Sequence, residues 1–310
     1  MWQDTSPESR GSADWKPANC WTIVVERQPI IDSHVHLATE AWVEGSLGPY
    51  RASVEEYFRR PILIRSVEAM AAEYEAAGML GILLGWDAER SSGRPAIPND
   101  LIAAICTRFG DQFVGFGSVD PLRPNAVAEL ERFPDLGLTG LKVHPTMQAF
   151  DPSSDEVQPF FETAARLHLR VITHTGMSAI GAARPGGQGL RIDLARPALF
   201  DRVAAQYPDM PVMLAHIGAP WEAETIAMAL HKSNIHVDIS GWKAKYLPVP
   251  FLRELKGRLR AQVCFGSDYP MFDPQEHLND VRALDLGAEV REGLLRHNAR
   301  RFLGLAPTVP

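Results

Sequence analysis

From residue 30 onward, eight short apolar runs alternate with longer stretches patterned for helix, and this alternation limits the fold more than any other feature. The runs are PIIDSHVHL from Pro29, MLGILLGW from Met79, FVGFGSVD from Phe113, TGLKVHP from Thr139, LRVITHTG from Leu169, PVMLAHIGA from Pro211, IHVDISGW from Ile235 and QVCFGSDYP from Gln262. Between them, Ser66 to Ala77, Asp100 to Phe109, Asp155 to Leu167, Trp221 to His231 and Glu289 to Leu303 repeat apolar residues at i, i+3 and i+4. Strands alternating with helices of this length form a parallel sheet with crossover connections. Eight such units predict an α/β protein of the closed (βα)8 TIM-barrel class. An open doubly wound sheet is the alternative, but no G-x-G-x-x-G follows the first run to support it. With 310 residues, 45% of them hydrophobic, the chain can bury the core of one such barrel. The expected division is an N-terminal tail over 1–29 and one catalytic barrel over 30–310. The tail is polar and rich in Ser, Gly and Pro, which reads as a mobile segment, with docking of Trp2 and Trp15 onto a neighbouring subunit as the alternative.

A polar side chain in a strand buried on both faces is costly, so the His, Asp and Lys residues that end these runs need a reason to be there. The barrel supplies one, because the C-terminal strand ends converge on a single mouth where active sites of this fold are built. His34 and His36 stand two apart on the first run and so point to one face, with Asp32 on the same parity. His174 ends the fifth run, His216 the sixth and Asp268 the eighth, each before a Gly or Pro turn. One such histidine would be an ordinary core residue. Five imidazole and carboxylate donors at corresponding ends read as a site for a divalent ion, zinc first, with manganese, iron or cobalt as alternatives. Lys142, inside the fourth run, must also have a partner, such as Asp268 or a substrate carboxylate. His144 shares its parity and is expected to make a supporting hydrogen bond. His168, His231, His236, His277 and His297 fall on helices or strand starts and read as structural or solvated.

The formal charge of -7 and the lack of a basic stripe argue against nucleic acid as a partner. Cys20, Cys106 and Cys264 are widely spaced and read as reduced thiols of a cytoplasmic protein. No run approaches the roughly 20 apolar residues of a membrane span, and the N-terminus lacks the layout of a signal peptide.

The segments IIDSHVHL, GLKVHP, VITHTG, LAHIGAPW, FGSDYP and HNARRFLGL together resemble the amidohydrolase superfamily, in its amidohydrolase-2 branch, over about residues 30 to 305. That branch includes aminocarboxymuconate-semialdehyde decarboxylase, γ-resorcylate decarboxylase and hydrolases of lactones and carbon–carbon bonds. The resemblance implies that His34, His36 and His174 are metal ligands. Asp268 would bind the ion and act as acid and base. His216 would be either a ligand of a second ion or a residue that activates the substrate. Lys142 would be either a carboxylated bridge between two ions or an unmodified lysine of the site. The ion count implied is one or two, and a homodimer or an assembly of related subunits is an expectation of the same origin.

The loops beyond the strands should select the substrate. Arg51, Arg59 and Arg60 follow the first run, Trp86 and Asp87 the second, and Arg184 lies in a glycine-rich stretch after the fifth that suggests a movable cover. Arg51, Trp86, His144, Arg184 and Trp242 are the candidates for substrate contact. SGWKAKYLP, which contains Trp242, resembles a run in 4-hydroxyphenyl-β-ketoacyl-CoA hydrolases, although Ala244 stands where those have Pro. The leading expectation is therefore a metal-dependent hydrolase of a small anionic or aromatic substrate, in which a metal-bound water with a pKa near 7 attacks a carbonyl. A non-oxidative decarboxylase of an aromatic or muconate-type acid is second. A metal-dependent oxygenase, or its non-catalytic subunit, is third.

Overall fold

All eight apolar runs become strands, because residues rich in Val, Ile and Leu and buried on both faces suit a parallel sheet covered by helices. The computed structural model describes residues 29–305. The strands are β1 (Ile30–His36), β2 (Met79–Leu84), β3 (Phe113–Ser118), β4 (Gly140–Val143), β5 (Arg170–His174), β6 (Val212–Ala215), β7 (Ile235–Asp238) and β8 (Val263–Cys264). Each pairs in parallel with the next in sequence. The segment after β8 closes the ring onto β1: the Ser33 amide donates to the Phe265 carbonyl at 3.0 Å, Asp268 to His34 at 3.0 Å and His36 to Tyr269 at 2.8 Å. The (βα)8 expectation therefore holds. Trp2, Trp15 and Cys20 lie outside the described residues, so the expected docking of the tail does too. No helix among the described residues is long and apolar enough to cross a membrane.

The barrel interior is filled by Ile31, Ile82, Phe116, Ile172, Met213 and Cys264 and closed from below by Phe302 and Leu303. Gly140 is required beside Phe116, since a Cβ there would come within 2.1 Å of the ring. A second apolar layer packs the outer strand faces against the helices, as where Val35 and Leu83 meet the layer containing Tyr74. Helix Val67–Ala77 begins where the pattern predicts, with the Ser66 hydroxyl accepting from the Ala69 amide at 3.1 Å and Gly78 ending it at φ 63°. The Glu289 to Leu303 stretch divides into Ala288–Glu292, a wide turn over Gly293–His297 and Asn298–Phe302.

Simple alternation fails within β1. Ile31 points into the barrel, and so do His34 and His36, which lie at the cavity, because the pairing to β2 shifts register between Asp32 and Val35. Asp32 consequently turns toward the helices, where it accepts from the Tyr74 hydroxyl at 2.9 Å and from the Ser267 amide at 2.8 Å. The expectation that Asp32 shares a face with the two histidines is corrected by this bulge.

Candidate metal centre and active-site pocket

The strand ends bring His34, His36, Lys142, His174, His216 and Asp268 around the floor of one cavity of about 630 Å³, counted to its open mouth. The chain reaches two of these positions through left-handed backbone, His216 and Asp268 both at φ 64°. That conformation is uncommon for residues other than glycine and is concentrated at functional sites.

Hydrogen bonds assign the imidazole tautomers. His34 Nδ1 donates to Asp238 Oδ2 at 3.1 Å, so its Nε2 keeps a lone pair, which accepts from Lys142 Nζ at 3.1 Å. His36 Nε2 and Asp268 Oδ1 are 3.4 Å apart, and His34 Nε2 lies 3.8 Å from the same oxygen. His216 Nδ1 faces the Ser240 carbonyl at 3.0 Å and the Ser240 hydroxyl at 2.9 Å, which places its proton on Nδ1 and leaves Nε2 as a base. His174 Nε2 is buried with no hydrogen-bond partner among the described residues. This unpartnered imidazole nitrogen belongs to a residue that lines the same cavity as the His34, His36 and Asp268 donors, so the four side chains fit a divalent cation.

Electrostatics point the same way. Burial, followed by the Lys142 charge, lowers the His34 pKa well below its usual value, and burial likewise lowers those of His36, His144 and His174. These imidazoles are therefore neutral at physiological pH, the form that binds metal. Burial alone would raise the Asp268 pKa, but His216, the His36 hydrogen bond and His34 outweigh it and keep the carboxylate ionised. Burial brings the Lys142 ammonium down from 10.5 to about 8, against the pull of Asp238 and Asp268.

Among the described residues, two triads have ligand atoms close enough together for one ion, His34–His36–Asp268 and His34–His216–Asp238. In the second, Asp238 is already committed: besides His34 it accepts from the His216 amide at 2.9 Å, the Ser240 amide at 3.0 Å and the Ser240 hydroxyl. It is a scaffold that orients both histidines, whereas the first triad lines the cavity together with His174.

The amidohydrolase family model matches residues 31–305. The chain belongs to this amidohydrolase-2 family. No curated protein sequence matches it significantly. Among solved structures, an uncharacterised TIM-barrel protein from Bordetella bronchiseptica is similar at 24% identity and TM-score 0.75, covering 89% of this chain and 98% of that one. A 2,6-dihydroxybenzoate decarboxylase from Rhizobium matches at 18% identity and TM-score 0.67, covering 89% and 99%. A 5-carboxyvanillate decarboxylase from Novosphingobium aromaticivorans, complexed with manganese and a nitrobenzoic acid, matches at 18% and 0.66, covering 90% and 97%.

In this amidohydrolase, Trp86, His144 and Trp242 line the cavity. Arg51 and Arg184 do not. Arg51 pairs with Glu55 at 2.8 Å and with Glu44, and Arg184 with Glu56 at 2.9 Å, so both expectations of substrate contact are corrected. His236 and His277 are buried among phenylalanines away from the cavity, as a structural role requires. Two contributors were missed. Asp238 carried the same signal as Asp268, a carboxylate ending an apolar run. Trp42, stacked 5.0 Å from His36 at 8° between planes, carried none, since it lies on the short wide-turned helix Ala41–Leu47 whose position only the fold sets.

Proposed function

We propose that this amidohydrolase is a metal-dependent enzyme that removes a carboxylate, without oxidation, from a small aromatic acid. The supporting observation is the floor: neutral histidines and an ionised Asp268 directed at one point, beside a buried Lys142 ammonium, under an aromatic roof. The likeness to barrels named as decarboxylases supports the same choice and moves decarboxylation ahead of the hydrolysis expected from sequence.

His34, His36, His174 and Asp268 would hold one divalent ion, and the unpartnered His174 nitrogen is the observation that this set fits. Zinc and manganese both suit three imidazoles and a carboxylate. When bound, such an ion supplies Lewis acidity that polarises substrate oxygens. Lys142 attracts the substrate carboxylate and pairs with it. Asp268 accepts the proton of an adjacent ring hydroxyl and passes it to the ring carbon as the bond to the carboxylate breaks, so that CO2 leaves and hydrogen takes its place. His216, with Nε2 free, faces the same substrate and accepts or returns a proton.

Incubating the metal-loaded protein with 2,6-dihydroxybenzoate and related hydroxybenzoates in D2O tests this. CO2 release with deuterium at the vacated carbon is the expected result, with Asp268→Asn slower by about 10² to 10⁴. Binding without CO2, together with hydrolysis of lactones or esters, would reinstate the hydrolase reading.

A further inference from the structure

We infer that the substrate carries a single anionic group, held at the floor, and that its remaining substituents are uncharged. This deepens the proposed function, on which it rests. Among the described residues, Lys142 is the one Lys or Arg side chain that lines the cavity, and it is 2% exposed at the bottom. Four arginines in the segments beyond the strands are paired with acidic side chains: besides Arg51 and Arg184, Arg90 pairs with Asp120 at 2.8 Å and Arg123 with Asp87 at 3.0 Å. Above the floor the walls are Trp42, Val54, Phe58, Trp86, Ile180 and Met271, with Tyr57 and Ser178 as neutral polar residues.

A second carboxylate placed against these walls would lose its water and gain no cation, at a cost of several kcal/mol. A neutral oxygen has a partner. His144 Nδ1 accepts from the Met147 amide at 3.3 Å, so the ring proton sits on Nε2, and the ring lines the cavity while stacked 3.9 Å from His174. His144 thus offers a hydrogen bond to a hydroxyl, ether or carbonyl oxygen without offering charge.

The test uses the metal-loaded full chain and isothermal titration with 2-hydroxybenzoates that carry hydrogen, a methyl ester or a carboxylate at each free ring position in turn. The methyl esters are expected to bind at least as tightly as the parent acid, and the corresponding dicarboxylates about 10-fold or more weaker at every position. Met177→Arg, at the exposed rim of the cavity, is expected to recover dicarboxylate affinity by about 10-fold. A dicarboxylate that binds the wild type as tightly as its monoester would overturn the inference. CO2 release is followed on the same compounds. The binding preference without CO2 leaves the inference standing and removes the decarboxylase reading. CO2 release without the preference does the reverse, and no binding by any member overturns both.

Discussion

At the scale of single residues, the site is an arrangement of tautomers. Asp238 fixes His34 by accepting the hydrogen bond from its Nδ1, and holds the His216 backbone with its other oxygen. An amide in its place keeps the shape but weakens the acceptor, so Asp238→Asn is expected to lower metal affinity by about 10- to 100-fold, read by titration against a chelator. Wild-type affinity would show that His34 is oriented by packing alone. Lys142 and His216 decide the number of ions. If they serve substrate and not a second ion, Lys142→Ala and His216→Ala should each keep one metal per chain while losing turnover. A fall from about two ions to one, measured by elemental analysis, would identify Lys142 as a carboxylated bridge, a modification its neutral amine fraction at a pKa of about 8 permits.

At the scale of elements, the bulge in β1 is what turns His34 and His36 together into the mouth. Asp32 anchors it by tying β1 to the segment after β8 through Ser267, and to helix Val67–Ala77 through Tyr74. Burial raises the Asp32 pKa to about 6 despite these hydrogen bonds, so the residue is held at an electrostatic cost. Replacing it with alanine leaves the Tyr74 and Ser267 donors buried without a partner, at about 1–3 kcal/mol each. Asp32→Ala is therefore expected to destabilise the chain by about 2–6 kcal/mol in urea unfolding and to reduce metal binding as well. Loss of stability with full metal affinity would show that the bulge survives without its anchor.

At the scale of the whole molecule, both ends of the barrel bury histidine. His236 lies low in the interior against Phe302, and His277 between Phe265 and Phe272, each with its pKa lowered by burial from 6.5 to about 4. The unfolded chain takes up these protons first as pH falls. Stability is therefore full above pH 6.5 and declines as pH drops toward 4, by about 3 kcal/mol for a shift of this size in one buried group. His236→Leu should show a smaller loss than wild type between pH 7 and 4.5 in urea unfolding. Equal losses would place the acid sensitivity elsewhere, with His277 the next residue to replace.

Much of this was legible in the linear chain, for identifiable reasons. Strand positions follow from runs that must be apolar on both faces, and the mouth follows from the rule that parallel strands of a barrel end together. His34, His36, Lys142, His174, His216 and Asp268 stood out because each is a polar residue at or near the end of an apolar run, and the strand ends bring all six around one cavity. Arg51 and Arg184 were misread because a loop's charge says nothing about its partner, and acidic neighbours on the same surface claim both. Asp32 was misread because alternation assumes an unbroken pleat. Which nitrogen of each imidazole is free, the stacking of Trp42 on His36, the scaffold role of Asp238 and the uncharged walls above Lys142 all depend on residues far apart in sequence meeting at one end of the barrel. Composition and periodicity, being local, determined the barrel and its ring of polar strand ends. Only the tertiary structure decided what those residues face.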